Sequence, residues 1–137
     1  MRKTAMDKIF GIKYVRDLQY IPADSMGESV AWGMEYAIAD GAMASMANAL
    51  GKKEDAAYFT QRSQLYKAYY DSVVGFFNGR FANGNFRRPF DPLEAKHRKN
   101  DYTEGNAWQY LWLVMQDPKG LITLWEAMML SWQSWTY

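Results

Sequence analysis

Cysteine is missing from this 137-residue chain. Disulfides, thiolate metal centres and cysteine nucleophiles are thereby excluded, and the redox compartment stays open. Histidine occurs once, as His97. With no second His, no Cys and no close acid cluster, it is read as polar packing in a loop, and a transition-metal site is not expected. No apolar run approaches the roughly 18 residues of a membrane span. The basic start Met1-Arg2-Lys3-Thr4 leads into no apolar stretch, so no signal peptide is expected. Neither sign of charge dominates, with 16 Lys and Arg against 15 Asp and Glu. Nothing global therefore calls for nucleic acid or an anionic membrane. The short basic runs Arg87-Arg88 and Lys96-His97-Arg98-Lys99 are broken by acids and prolines, and polyanion binding is only the minor reading of them.

Aromatic residues are plentiful, at 17% of the chain with six Trp and ten Tyr. The plain reading is core and interface. The sharper one is a carbohydrate cleft, where indole faces stack on sugar rings. The length suits one domain with a modest core.

Helical periodicity runs from about Thr4 to Leu18, then from Glu28 to Leu50, then from Lys53 to Tyr70. Ser25-Met26-Gly27-Glu28 has the spacing of a capping box. Glu28 and Asp24 are read as caps, and Asp40 as one half of an internal ion pair. The second helix carries apolar stripes on more than one side and so needs several neighbours. Gly51 is a natural stop. Ala82-Asn83-Gly84 signals a turn between extended segments. A fourth helix is expected over Asn106–Met115, and Pro118 could open a fifth. Helix pairs joined by long loops point to an all-α toroid or bundle.

The segment Asn100-Asp101-Tyr102-Thr103-Glu104-Gly105-Asn106-Ala107-Trp108-Gln109-Tyr110 sets the Glu104 carboxylate among amides, aromatics and a glycine. Sugar hydroxyls suit Asn, Gln, Asp and Tyr, and the apolar ring face suits Trp. Asp101, Tyr102, Asn106, Trp108 and Gln109 are the candidate sugar contacts. Asp101 and Asn106 could equally cap the loop-to-helix junction. Trp108 and Trp112, four apart, share a helix face, with core packing the plainer expectation.

This segment carries a resemblance, together with Tyr20-Ile21-Pro22-Ala23-Asp24, Gly27-Glu28-Ser29-Val30, Glu35-Tyr36-Ala37-Ile38-Ala39-Asp40, Ala49-Leu50-Gly51-Lys52 and Phe90-Asp91-Pro92-Leu93-Glu94-Ala95. From near residue 1 to about Leu124 the chain resembles the family-92 glycoside hydrolases, the calcium-dependent exo-acting α-mannosidases. The resemblance implies part of an (α/α)6 toroid, incomplete in this chain and preceded by a β-sandwich domain. It implies an inverting enzyme whose general acid falls on Glu104, in the Thr-Glu-Gly-Asn-Ala-Trp pattern. The family's general base comes from a Gly-Asn-Asp-Asp-Cys-Gly pattern that this chain lacks, so the chain is expected to be inactive alone. The implied substrates are α-mannoside glycans, with α-1,2-type release of mannose from N-glycans or mannans. Calcium is implied, but no metal ligand can be assigned here. A secreted, periplasmic or cell-surface home is implied for the whole enzyme. One departure is Val114-Met115-Gln116-Asp117, where the family often reads Val-Pro-His-Asp. The other reading is a non-catalytic helical carbohydrate-binding or interaction module.

An inverting acid must hold its proton near neutral pH, so burial or a nearby carboxylate should favour the protonated form. A helix start would favour the ionised form. Desolvation by Trp108 and Tyr102, with repulsion from the missing aspartates, is expected to win.

From Trp125 the character changes, with three of the six tryptophans inside residues 125–137. Back-translated and read one base earlier, this tail becomes Met-Gly-Gly-Asp-Asp-Ala-Phe, close to the family's usual Leu-Met-Gly-Gly continuation. Residues 1–124 are therefore read as catalytic-domain sequence and 125–137 as out-of-frame translation. A divergent aromatic helix is the alternative.

Overall fold

A computed structural model describes residues 2–133. Two short helices, α1 (Arg2–Ala5) and α2 (Ile12–Leu18), stand where periodicity predicts one. The break lies at Phe10 and Gly11, which are left-handed at φ 51° and 80°. Leaving the helix lets Phe10 stack on Trp32 at 5.8 Å. It also brings the Gly11 backbone onto the next segment, where a Cβ would stand 2.8 Å from the Met26 sulfur.

Helices α3 (Ser29–Ala49) and α4 (Lys53–Ser63) form a helical hairpin turned at Gly51. Gly51 is left-handed at φ 69°, and the Lys52 N–H reaches back to the Ala47 carbonyl at 2.9 Å. Within the hairpin Asp40 finds the internal partner expected of it. The Arg62 guanidinium donates to both Asp40 oxygens at 2.6 Å, with both residues buried. Burial pushes the Asp40 carboxyl up, and the Arg62 hydrogen bonds pull against it. Arg62 also donates to the Ala5 carbonyl at 2.8 Å, which ties α1 to the hairpin.

The expected capping box at Ser25–Glu28 does not form. Glu28 is left-handed and caps with no side-chain bond. Instead the backbone carbonyl of Asp101 accepts from Val30 N and Ala31 N at 3.0 and 3.1 Å, so a distant loop covers the orphan N–H groups of α3. Asp24 caps a turn rather than a helix, accepting from Ala82 N at 3.0 Å.

The third helix stops earlier than periodicity suggests. Beyond Ser63 the chain tightens into a 3-10 turn, Leu65–Tyr69. Three residues per turn place Tyr66 and Tyr69 on one side, and both are fully buried. Gly33 makes room for Tyr69, since a Cβ there would fall 2.0 Å from its hydroxyl. Two antiparallel strands follow, β1 (Tyr70–Asp71) and β2 (Phe76–Phe77). They are two residues each and leave the fold mainly helical, as expected. The turn at 82–84 appears as read, with Gly84 at φ 88° and an Arg80–Phe86 bridge.

Helix α5 (Ala107–Tyr110) is a single turn, shorter than the expected Asn106–Met115. Beyond it Leu113 N bonds Tyr110 O, three residues back, at 3.0 Å. That tighter path buries Leu111 and Val114 and turns Trp112 and Met115 outward. Helix α6 (Pro118–Gln133) follows. The core joins Val30, Met34 and Ala37 of α3 to Tyr66, Phe77, Tyr102, Leu111 and Leu121. The loop before α5 therefore hangs from the centre of the packing.

Candidate active site

Asp101 anchors this loop. Its side chain is 5% exposed and takes two bonds from Arg87, Nε at 2.6 Å and Nη2 at 3.1 Å, plus one from Ser29 Oγ at 3.2 Å. The fork geometry fixes the carboxylate plane as well as its charge. Gly79 lies so close that a Cβ would overlap Asp101 Oδ2. Asn100 Oδ1 accepts from Tyr102 N at 3.0 Å. The Tyr102 ring turns into the core, and its hydroxyl donates to Phe77 O at 2.5 Å. Burial pushes that phenol well up. Asp101 and Tyr102, read from sequence as sugar contacts, thus direct their polar groups into the protein.

Beyond them the chain turns outward. Thr103 is held at both backbone atoms by one hydroxyl. Tyr110 Oη accepts from Thr103 N at 3.2 Å and donates to Thr103 O at 3.0 Å. Glu104 follows at φ 51°, a left-handed position few non-glycine residues adopt. Its side chain is 75% exposed, and its carboxylate lies 3.8 Å from His97 Nδ1. The desolvation expected of Tyr102 is therefore not supplied by that ring.

Asn106 opens α5 with a reciprocal box. Its Oδ1 accepts from Gln109 N at 3.2 Å, and Gln109 Oε1 accepts from Asn106 N at 3.0 Å. The capping expected of Asn106 is what forms. Each amide keeps its NH2 group without a partner among the described residues. Trp108 is 49% exposed and meets Phe76 edge-on at 4.8 Å. Trp112 is 64% exposed, edge-on to Trp125 at 5.0 Å. Core packing, the plainer expectation for this pair, is not what the fold does, because the buried spacing here is Leu111 and Val114.

The basic runs are also spoken for in part. Arg87 neutralises Asp101, Arg88 pairs with buried Asp71 at 2.6 Å, and Lys96 pairs with Glu94. Arg87 and Tyr110 carry the site's geometry, yet the sequence reading passes over both. The partner of Arg87 is fourteen residues away, and Tyr110 looks like one more aromatic. His97 is nearer to Glu104 than loop packing suggests. Gln116, at the position where histidine is frequent in the resembled family, donates to Ser63 O at 3.4 Å and packs against Gly41.

Among the described residues no group of three or more His, Asp or Glu could hold a metal. No ligand of the calcium implied by the resemblance is assigned among the described residues. No described helix is long and apolar enough to cross a membrane. A cavity of about 610 Å³, lined by Ile12, Tyr36, Asp40, Met43 and Arg62 among others, shares no residue with the Glu104 loop.

The sequence profile of the glycosyl hydrolase family 92 catalytic domain matches residues 1–128. No curated protein matches the chain. Among solved structures, a family GH92 inverting mannosidase from Bacteroides thetaiotaomicron is 36% identical, with a TM-score of 0.78 over 83% of this chain and 15% of that one. A family GH92 α-mannosidase of the same organism, in complex with mannoimidazole, is 32% identical, with a TM-score of 0.85 over 95% of this chain and 19% of that one. The same enzyme without that ligand gives 34% and 0.83, over 93% and 17%. The chain thus spans less than a fifth of the length of these relatives. Its helical pairs are an incomplete part of the (α/α)6 toroid those enzymes share. A profile match over nearly the whole chain, and relatives alike in both sequence and fold, place the chain in glycosyl hydrolase family 92.

Proposed function

We propose that this chain is the acid-bearing segment of an inverting exo-α-mannosidase, with Glu104 as the general acid. The observation that supports this most is the loop itself. Asp101, Tyr102, Asn106, Gln109 and Tyr110 direct polar groups at the backbone or at buried partners, while the Glu104 carboxyl projects into solvent. A fixed loop under one outward-facing carboxyl is what proton delivery needs.

In inverting hydrolysis the bond from the anomeric carbon to the leaving oxygen breaks, and its electron pair goes to that oxygen with a proton from the acid. Water bonds to the carbon from the opposite face and gives its proton to a second carboxylate, roughly 6.5–9.5 Å from the first. Glu104 fills the first role. The second carboxylate comes from outside this chain. The Asn106 and Gln109 NH2 groups are donors for sugar hydroxyls, and Trp108 offers an apolar face. Asp101 and Tyr102 serve by holding the loop. Tyr102 faces the core, so Trp108 and the remainder of the domain must desolvate the acid.

The substrate class is terminal mannose on N-glycans or mannans, of α-1,2 type. The support is family membership and relatives described as mannosidases, one of them bound to mannoimidazole. Calcium in the whole enzyme would draw its ligands from elsewhere in the domain. For the whole enzyme we propose, from the family resemblance, a secreted, periplasmic or cell-surface setting.

Two experiments test this reading. In a complete enzyme carrying this segment, Glu104→Gln should lower turnover about 10²–10⁴-fold while mannoside affinity survives. Unchanged turnover would remove Glu104 from the chemistry. The chain alone, lacking a general base, should release no mannose from α-mannosides, and measurable release would refute that part. For residues 125–137 the proposal remains out-of-frame translation. Trp125 nonetheless continues α6 and packs on Trp112, and residues 134–137 lie outside the described residues. An intact frame through Leu124 in raw DNA reads, with this protein sequence preserved, would overturn it.

A further inference from the structure

We infer that Tyr110 is a positioning residue for Glu104, acting through a clamp built by two consecutive side chains of α5. The inference rests on the reading of Glu104 as the general acid. Gln109 and Tyr110 reach back along the chain in parallel. The Tyr110 hydroxyl takes both polar backbone atoms of Thr103, immediately before Glu104. The Gln109 side chain takes the backbone N–H of Asn106, two residues after it. Only Glu104 and Gly105 lie between the two holds.

Two further features show that the clamp is tight. Gly105 is buried, and a Cβ there would stand 2.9 Å from Gln109 Oε1 and 3.3 Å from the Tyr110 ring. Both clamp arms therefore line the space that a side chain at 105 would need. Glu104 itself sits at φ 51°. A non-glycine residue stays in that region where its surroundings over-determine it. The Tyr110 ring is in turn fixed against the buried Tyr102 ring, with centroids 5.2 Å apart. The direction of the Glu104 side chain is thus set by a hydroxyl six residues later, which itself touches no carboxylate.

The test is Tyr110→Phe in the complete enzyme. It removes one oxygen and keeps the ring that packs on Tyr102. Leaving groups separate positioning from general damage. A poor leaving group, as in methyl α-mannoside, depends on protonation. A good one, as in 2,4-dinitrophenyl α-mannoside, departs without it. The expected result is a loss in kcat of about 10- to 100-fold on the methyl mannoside, with the dinitrophenyl substrate retained within about twofold and KM unmoved. Equal losses on both substrates, no loss on either, or a change confined to KM would overturn the inference. Should Tyr110→Phe lower the yield of folded enzyme, Gln109→Met provides a second probe. It removes the acceptor for Asn106 N, the other hold on the loop, and should lower kcat on the methyl mannoside further than on the dinitrophenyl substrate whatever it does to KM, and equal losses on both, or none on either, would count against the clamp. Glu104→Gln, run beside them, separates the two claims. If it shows the leaving-group selectivity and Tyr110→Phe does not, the clamp fails and the acid stands. If it shows no selectivity, the acid reading itself fails.

Discussion

The hairpin of α3 and α4 and the loop over residues 100–110 each hold an arginine–aspartate fork, and they use it to opposite ends. In the hairpin, Asp40 and Arg62 have side chains 3% and 7% exposed, and the two charges match each other. In the loop, Asp101 is as deeply buried, yet Arg87 is 41% exposed and a third charge, Glu104, stands 75% exposed three residues on. The hairpin fork joins helices to one another. The loop fork joins a surface segment to the α3 N-terminus, through the Asp101 carbonyl on Val30 and Ala31. One is scaffold throughout. The other is scaffold below and carries the exposed Glu104 carboxyl above.

If that contrast is right, mutations in the two regions should separate stability from chemistry. The largest expected effect is on the hairpin's stability. In the complete enzyme Arg62→Leu leaves Asp40 charged and buried without a partner, which should cost about 3–5 kcal/mol. Thermal unfolding reads that loss, and the relative rates on poor and good leaving groups should not move. A shifted ratio would erase the distinction between the regions. Next comes Gly33→Ala, which forces a methyl into the Tyr69 hydroxyl 2.0 Å away. Overpacking of that kind costs about 1–3 kcal/mol, again visible in unfolding and silent in the rate ratio.

Arg87→Gln probes the loop. Because Arg87 is partly exposed, the stability loss should be smaller, about 1–2 kcal/mol. Here turnover on poor leaving groups should fall further than stability alone explains. If unfolding and turnover fell in step, the loop fork would be only another piece of scaffold.

The smallest effect concerns Asp117 at the start of α6. Burial raises its carboxyl, but the Tyr66 hydroxyl and the Gly120 N–H, at 2.8 and 3.1 Å, outweigh that and bring it below its ordinary value. Its folded value is depressed, so its contribution is complete above the ordinary carboxylate value. The contribution is lost as pH falls through the lower folded value. Acid titration of stability should show a shallower loss over that window in Asp117→Asn. An identical profile would remove Asp117 from the account.

What could be read from the chain follows from how local each signal is. The α3–α4 hairpin and its Gly51 stop are legible because periodicity and a left-handed glycine act over one turn. The 82–84 turn is legible for the same reason. The break at Phe10 is not, because its cause is a stack on Trp32, twenty-two residues away. The end of α4 is missed because the burial of Tyr66 and Tyr69 favours a tighter helix than periodicity alone implies. Trp108 and Trp112 share a face as their spacing requires, but spacing does not say which face meets water. Glu104 is singled out by its motif, and the fold adds its exposure and left-handed backbone. Asp101 shows itself only as polar, and its fork with Arg87 belongs to the tertiary fold. Tyr110 is close in sequence, yet its hold on Thr103 exists only because the intervening chain turns left-handed.

The most direct measurement is a crystal structure of a complete enzyme carrying this segment, bound to an uncleavable thio-linked mannobiose. The account predicts a Glu104 oxygen within hydrogen-bond reach of the linking atom, about 2.6–3.2 Å with allowance for the longer sulfur contact, with Tyr110 still on Thr103. A Glu104 carboxyl turned away from the linkage, with another acid in that place, would contradict it.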